Sequence, residues 1–320
     1  MNELSGEALA LLAGALAVML AWLLTPRVRE FAIRHGVVDM PGERRVHTVP
    51  IPRLGGAAIV LALVATVAIL YAAGGLQLDA RLAGILLGAL IVAAVGAFDD
   101  AFQMRALHKL VFQLAAASVA VALGVKIDFL SNPFGPDPIY LGWLAWPASI
   151  AWLVFITNTV NLIDGLDGLA AGVSAIAGTT MAFIALAWGQ PAVAILCAGL
   201  AGSCVGFLRY NFNPARIFMG DSGAYFLGFV LAGAAVIGPF KTAAFVSILV
   251  PMLALGVPIA DVLFAIIRRV VQRRPIFGAD KGHIHHRLLE RGMSHRNAVL
   301  AIYLMTFALS LLALLIARPS

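Results

Sequence analysis

Ten apolar stretches, each about as long as a membrane-crossing helix, follow one another along this chain. A bilayer core about 30 Å thick needs about 20 apolar residues, because each residue advances a helix by about 1.5 Å. Backbone polar groups in lipid must be satisfied within the segment, which favours helices. The sequence therefore predicts an all-α, polytopic bundle of about ten transmembrane helices. The predicted spans are 7–25, 55–73, 82–98, 109–125, 144–162, 168–187, 191–208, 223–239, 242–267 and 298–317.

The composition agrees with a membrane bundle. Apolar residues make up 62% of the 320 residues, charged residues 12%, and the mean hydropathy is +0.96. A soluble domain is about half apolar and about a quarter charged. Apolar stretches continue to the end of the chain, so the first is not interpreted as a secretory signal. We expect one integral membrane domain over 1–320, with Cys197 and Cys204 as packing residues.

The basic residues are divided unevenly between the two sides of this bundle. If the N-terminus is outside, the inner connections are 26–54, 99–109, 163–167, 209–222 and 268–297. They contain 18 of the 22 Lys and Arg residues, all except Arg81, Lys126, Lys241 and Arg318. Because positive charge stays on the cytoplasmic side, these loops are predicted to be cytoplasmic and both termini external. The net charge of +6 is then explained by topology and by anionic lipids or substrates, and no nucleic-acid partner is predicted.

The stretch 158–172 places two amides, two carboxylates and three glycines at a membrane boundary. Ionisable groups there are costly unless they face water, a partner or a ligand. The amides and carboxylates belong to Asn158, Asn161, Asp164 and Asp167. Steps of three residues turn a helix by about 300°, so one continuous helix could not direct all four at one ligand. We expect the helix to bend or stop at Gly165 and Gly168, and a polar helix-end turn is the alternative to a binding site.

Two further acidic positions lie on the same predicted side. Asp99 and Asp100 close the third span, where neighbouring side chains diverge by about 100° and should serve different partners. The helix dipole disfavours carboxylates at this end, which argues against a purely solubilising role. Asp221 and Ser222 stand where the eighth span begins, and helix capping is an alternative explanation for them.

Basic segments complete the cytoplasmic side. Residues 41–56 include four side chains that either bind phosphate or provide flanking positive charge, namely Arg44, Arg45, His47 and Arg53. The ninth span contains Pro251 and Pro258, so it should kink, and it carries Asp261 near its inner end. The next loop contains His283, His285, His286 and Arg287. No cysteine lies near these histidines, so an anion-binding cluster is favoured over zinc.

Carboxylates, arginines and histidines on one membrane face suit Mg²⁺-assisted phosphoryl transfer to or from a lipid. Two lipid-linked families do not fit this chain. CDP-alcohol phosphotransferases require an Arg where Gly172 stands, and no Asp follows before Asp221. Membrane prenyltransferases need paired D-x-x-x-D boxes, which Asp99-Asp100 does not begin. A transporter of an anionic or lipid-linked solute would favour charge near the midplane, whereas Asp261 lies near the end of its span.

The order and spacing of five motifs resemble those of the polyprenyl-phosphate N-acetylhexosamine-1-phosphate transferases. The motifs are Pro52-Arg53-x-Gly55-Gly56, Asp99-Asp100, Asn158-x-x-Asn161-x-x-Asp164-Gly165-x-Asp167-Gly168-Leu169, Gly220-Asp221-Ser222-Gly223 and His283-Ile284-His285-His286-Arg287. The resemblance extends from about residue 40 to residue 292, and the motifs are specific in combination. The last motif is similar to that of the UDP-GlcNAc branch, because Ile284 interrupts the run of three histidines typical of the MurNAc-pentapeptide branch.

This resemblance implies transfer of GlcNAc-1-phosphate from UDP-GlcNAc to undecaprenyl phosphate, with release of UMP. Such a reaction would be the first membrane step of cell-surface polysaccharide synthesis, at the bacterial cytoplasmic membrane. The alternative within the class is another UDP-N-acetylhexosamine donor. The sequence leaves open the downstream polymer, the choice between direct attack and an aspartyl-phosphate, and the oligomeric state, including a homodimer.

The resemblance also implies roles for individual residues. Asp221 and Asn161 would hold Mg²⁺, for which Mn²⁺ could substitute, while Asp99 would act on the acceptor phosphate with help from Asp100. The implied substrate-binding residues are Asn158, Asp164, Asp167, Arg53, His47, His283, His285, His286 and Arg287. Among these, Asp167 would contact the uridine, and the final motif would bind the sugar phosphate.

Overall fold

A computed structural model describes residues 4–40, 50–130, 137–238, 252–273 and 283–317. Eleven α-helices and one short 3₁₀ helix (Gly142–Leu144) lie within these ranges, and we number the α-helices in chain order. They are α1 (Gly6–Arg34), α2 (Gly56–Ala72), α3 (Ala80–Phe102), α4 (Ala106–Ala122), α5 (Ala145–Ile163), α6 (Leu169–Ala187), α7 (Pro191–Asn211), α8 (Gly220–Ile237), α9 (Gly256–Val271), α10 (Ile284–Glu290) and α11 (His295–Ile316).

Strand structure in the described residues is limited to two short antiparallel pairs. Strand β1 (Val38–Asp39) pairs with β2 (Ile51–Pro52), and β3 (Phe129–Leu130) pairs with β4 (Ile139–Tyr140). The predicted all-α class is confirmed, since each of these strands has only two residues.

Seven of the described helices are long and apolar enough to cross a membrane, namely α1, α3, α5, α6, α7, α8 and α11. Helices α2 and α4 are apolar but have 17 residues each, which is the lower limit for a span. Nine of the ten predicted spans correspond to one of these helices. The predicted ninth span, 242–267, overlaps α9, but its first part lies outside the described residues. The chain is therefore a multi-pass membrane protein.

One helix is longer than its predicted span, and another is interrupted within the span that was predicted to kink. Helix α1 continues to Arg34 through Pro26, although its apolar span was predicted to end at residue 25. Val28 and Ala32 remain buried after the proline, so packing sustains the helix beyond the apolar run. The predicted kink of the ninth span has a counterpart at Leu255, which separates helical residues 252–254 from α9.

Helix α8 forms the centre of the bundle. Of the residues in its most apolar segment, 83% are buried within the protein. The corresponding shares for α1 and α11 are 33% and 28%, so these two helices face outward. Helices α2, α3 and α5 surround α8, while α7 packs between α1 and α6. Cys197 and Cys204 are buried free thiols on α7, as predicted for packing residues. The first residues of α8 are therefore held by several neighbouring helices.

Candidate active site

The start of α8 meets α2 and α3 through direct backbone contact. Gly55 and Gly56 donate their backbone N–H groups to the carbonyls of Phe218 and Met219, at 2.9 and 2.7 Å. A Cβ atom on Gly56 would overlap the backbone of Gly223. These three helices can approach so closely because glycine has no side chain at the contact.

Asp100 lies near the end of α3 and caps the N-terminus of α8. Its carboxylate accepts the backbone N–H groups of Asp221 and Ser222, at 2.9 and 3.2 Å, and its side chain is fully buried. The first N–H groups of a helix have no partner within the helix, and its N-terminus favours negative charge. Gly220 has a φ of +75°, and a Cβ atom there would overlap the Asp100 carboxylate. Arg53 lies 3.8 Å from this carboxylate, and its other nitrogen lies 3.7 Å from Asp39.

Asp99 faces a different set of partners. Its Oδ1 accepts the backbone N–H of Met104 at 2.6 Å, and its Oδ2 lies 3.1 Å from Lys109 Nζ. Lys109 also contacts Asp221 Oδ2 at 3.0 Å, so one ammonium bridges carboxylates from two helices. The predicted divergence of Asp99 and Asp100 is confirmed.

Asn161 completes this group from the end of α5. Its Nδ2 donates to Asp221 Oδ1 at 2.9 Å, so both Asp221 oxygens are engaged, one by Asn161 and one by Lys109. We call Asp99, Asp100, Asp164 and Asp221 the carboxylate cluster. Removal from water raises the pKa of the Asp164 carboxyl well above its usual value, and the charges of Asp221 and Asp100 raise it further.

Among the residues that the structure describes, the cluster contains more acidic than basic groups. Its four carboxyl groups are accompanied there by two cationic side chains, Lys109 and Arg53. Asp164 has no hydrogen bond or ion pair with any side chain that the structure describes, and burial is the main cause of its raised pKa, followed by the charges of Asp221 and Asp100. A bound divalent cation would balance the excess.

The residues present fit a magnesium ion. Mg²⁺ in phosphoryl-transfer sites is held by one or two carboxylates, with waters and substrate phosphates completing its octahedral shell. Asp221 provides such a carboxylate, and the adjoining Asn161 amide carries an oxygen as well as the nitrogen that now faces Asp221. Within the described ranges, no group of three or more His, Cys, Asp or Glu side chains forms a closed metal cage. An open site that uses few protein ligands would need only groups such as Asp221 and Asn161.

The turn between α5 and α6 carries Asp164 and Asp167. Helix α5 ends at Ile163, and Gly168 has a φ of +81°, a conformation that favours glycine, before α6 begins. The predicted helix break between Gly165 and Gly168 is thereby confirmed. We call 164–168 the α5–α6 turn.

The chain after α7 fixes Asp167. Its Oδ2 accepts the side-chain N–H of Asn213 and the backbone N–H of Ala215, both at 3.0 Å. Asn211 accepts the backbone N–H of Gly168 at 3.0 Å. One carboxylate oxygen of Asp167 is therefore held by the segment that follows α7.

Asn158 is engaged one helical turn away from Asn161. Its Nδ2 donates to Gln113 Oε1 at 2.7 Å and to the Val154 carbonyl at 2.8 Å. Gln113 is buried on α4, so this amide pair joins α4 to α5. The structure thus places Asp100 and Asn161 in contact with Asp221, and Lys109 links Asp99 to this group, whereas Asn158 contacts a neighbouring amide.

The histidine motif begins beside α9. Asp261 Oδ2 lies 2.9 Å from His283 Nδ1, and its Oδ1 accepts the backbone N–H of Ile284 at 2.7 Å. Both Asp261 and His283 are buried, and Asp261 caps the short helix α10. His286 and Arg287 follow on α10, with Arg287 exposed. Arg44, Arg45, His47 and the side chain of His285 lie outside the described residues.

Sequence reasoning did not identify three residues of this site. Lys109 was counted only as a flanking positive charge, although a lysine at the first position of a predicted apolar span was a usable signal. Asn213 and His295 contact the Asp167 residue from separate segments. Their contacts span 46 and 128 residues, so no local pattern indicated them.

The chain is similar in sequence to a known family and to several known proteins. Residues 82–239 match the model of glycosyl transferase family 4. The chain is 44% identical over 294 residues to the probable undecaprenyl-phosphate N-acetylglucosaminyl 1-phosphate transferase of Bacillus subtilis, covering 92% of this chain and 81% of that protein. It is 37% identical over 322 residues to the decaprenyl-phosphate N-acetylglucosaminephosphotransferase of Mycobacterium tuberculosis, covering 92% and 79%.

A more distant relative is the phospho-N-acetylmuramoyl-pentapeptide-transferase of Clostridium kluyveri. It is 29% identical over 240 residues, which cover 71% of this chain and 74% of that protein. The first two relatives share more than a third of their residues with this chain over most of their length. Together with the family match, they show that the chain belongs to glycosyl transferase family 4.

Proposed function

We propose that this membrane enzyme transfers GlcNAc-1-phosphate from UDP-GlcNAc to undecaprenyl phosphate and releases UMP. The observation that carries the proposal is the contact of Asp99, Lys109, Asp221 and Asn161 at the convergence of four helices. Such a group suits the binding of phosphates and a divalent cation. The names of the relatives, which describe undecaprenyl- and decaprenyl-phosphate N-acetylglucosaminyl phosphate transfer, support the same acceptor and sugar.

Asp221 and Asn161 would hold Mg²⁺, and Mn²⁺ could replace it. When bound, the ion would neutralise negative charge on the donor diphosphate. Lys109 lies between Asp99 and Asp221, where its ammonium can contact phosphate oxygens without leaving either carboxylate unpaired. Asp100, fully buried and bound to two backbone N–H groups, acts by fixing the position of Asp221.

The net reaction exchanges one phosphorus–oxygen bond for another. An oxygen of the acceptor phosphate becomes bonded to the sugar-bearing phosphorus of the donor. The bond between that phosphorus and the bridging oxygen breaks, and the bridging oxygen leaves with UMP. The acceptor phosphate is already an anion near neutral pH. Asp99 would therefore need only to remove its last proton and to position the phosphate.

Donor recognition would involve two separate regions. Asp167 would contact the uridine through the oxygen that Asn213 and Ala215 leave available. The motif that starts at His283 would bind the sugar phosphate, with Asp261 holding His283 in place. Arg53, which is 29% exposed, has a guanidinium close enough to Asp100 to add positive charge beside the cluster.

We further propose that the carboxylate cluster faces the cytoplasm of a bacterial cell, with both termini outside. The support is the concentration of Lys and Arg in the connections on that side, 18 of 22. A cytoplasmic site would meet the nucleotide sugar in water and the polyprenyl phosphate at the membrane surface.

The test is UMP release by the purified protein with undecaprenyl phosphate, Mg²⁺ and a panel of UDP-sugars. The expected result is UMP release with UDP-GlcNAc and none without the lipid phosphate. Faster release with a different UDP-N-acetylhexosamine would replace the sugar but keep the reaction. Transport of an anionic solute into vesicles without UMP release from any donor would overturn the proposal.

A further inference from the structure

The last helix contacts the α5–α6 turn at two consecutive residues. The backbone N–H of Asp167 donates to His295 Nε2 at 2.9 Å. The Tyr303 hydroxyl, also on α11, donates to the carbonyl of Gly168. Both contacts engage backbone groups at the point where the chain passes from the turn into α6.

The contact with His295 fixes the chemical form of its imidazole. A backbone N–H can only donate, so Nε2 must accept through its lone pair. In this contact Nε2 is the acceptor, and the ring proton is on Nδ1. A side chain without an acceptor at this position would leave the Asp167 N–H without its partner.

The α5–α6 turn is thus held from two sides. On one side, Asn213 and Ala215 bind the Asp167 carboxylate. On the other side, His295 binds the Asp167 backbone N–H. Because the carboxylate and the N–H belong to one residue, the two sides together determine where the remaining carboxylate oxygen points.

We propose that His295 is a positioning residue for nucleotide binding, which acts by accepting the Asp167 N–H and thereby orienting the Asp167 carboxylate. The inference rests on the proposed function, in which Asp167 contacts the uridine. Helix α11 is 28% buried and faces outward along much of its length, yet its first residue reaches the turn. The role assigned to His295 is separate from the metal and phosphate chemistry of Asp221.

The experiment compares His295→Gln, His295→Leu and Asn297→Ala with the wild type. Glutamine places an amide oxygen near the position of Nε2 and keeps the acceptor, whereas leucine removes it. Asn297 is an exposed residue of the same helical turn, and it provides a matched control. UMP binding is measured by calorimetry in detergent, and kcat and KM are measured with UDP-GlcNAc and undecaprenyl phosphate.

His295→Leu should weaken UMP binding about tenfold, because a donor is left unsatisfied. Its KM for UDP-GlcNAc should rise by a similar factor, while kcat stays within about threefold because the carboxylate cluster is unchanged. His295→Gln and Asn297→Ala should bind UMP within about twofold of the wild type. Wild-type affinity in the leucine variant, or equal losses in the glutamine and leucine variants, would overturn the proposal.

Amide hydrogen exchange of the α5–α6 turn separates this inference from the proposed function. Exchange in 164–168 should be faster in His295→Leu and unchanged in His295→Gln, with no nucleotide present. If the wild type neither binds UMP nor releases it, the proposed function fails, and the exchange data still decide the contact. Unchanged exchange in His295→Leu would show that His295 does not hold the turn.

Discussion

Replacement of the two adjacent acids, Asp99 and Asp100, by asparagine should have opposite consequences. Asp100 accepts two backbone N–H groups at the start of α8, and its side chain is fully buried. An asparagine oxygen can accept one of them, but its amide nitrogen would then face the other as a second donor. The Asp99 side chain is 11% exposed and contacts Lys109.

The stability cost of Asp100→Asn can be worked out from its contacts. Loss of one charge-assisted hydrogen bond costs about 1.5–3 kcal/mol, and loss of negative charge at a helix N-terminus costs about 0.3–1 kcal/mol. The expected destabilisation is therefore about 2–4 kcal/mol, which corresponds to roughly 3–6 °C in unfolding temperature for a chain of this length. Asp99→Asn keeps an oxygen that can accept the Met104 N–H, so its cost should be about 1 kcal/mol or less.

Thermal unfolding in detergent and UMP release at low temperature measure the two effects separately. Asp99→Asn should retain its unfolding temperature and lose at least about 100-fold in activity, as expected for a group that acts on the acceptor proton. Asp100→Asn should unfold earlier and keep part of its activity while folded. An Asp100→Asn protein with wild-type stability and no activity would refute the capping argument and assign Asp100 to substrate or metal.

Further predictions concern the metal, the bridging lysine, the nucleotide and the topology. Asp221→Asn should abolish turnover without unfolding the protein. EDTA should stop turnover by the wild type until Mg²⁺ or Mn²⁺ is added back, and full activity in chelator would contradict the metal assignment. Lys109→Met should reduce activity at least about 100-fold, because Asp99 and Asp221 lose their shared cation. A smaller loss of activity than that of Asp99→Asn would argue against phosphate binding by the Lys109 ammonium. Asp167→Ala should weaken UMP binding by about 1.5–3 kcal/mol in calorimetry, and unchanged affinity would exclude a uridine contact. A reporter fused after Gly278 should lie in the cytoplasm and one near Asp137 outside, and equal locations would contradict the proposed orientation.

Features that depend on local sequence could be predicted. Apolar stretches of membrane-crossing length identified most of the described helices, although not α10, because helix formation in lipid depends on each segment by itself. The break between α5 and α6 followed from Gly165 and Gly168, the glycines that come directly after Asp164 and Asp167. The divergence of Asp99 and Asp100 followed from helix geometry alone.

The partners of these residues could not be predicted, because they depend on how helices are arranged. The cap that Asp100 provides joins positions 121 and 122 residues apart. Lys109 bridges to Asp221 over 112 residues, and its role depends on α4 lying beside α3. A sequence pattern shows that a charge needs a partner, but not which distant residue provides it.

The backbone contacts of α8 limit how this enzyme can change over evolutionary time. Gly96 lies so close to Asp221 that a Cβ atom would come within 2.5 Å of its backbone carbonyl carbon, and Gly56 is just as close to Gly223. Any side chain at these positions would displace the helix that carries Asp221, so substitution there should be rejected whatever the donor sugar. The exposed surface of α10 around Arg287 has no such constraint. New donor specificities should therefore arise by changes in and around α10, while the helix contacts beneath Asp221 stay as they are.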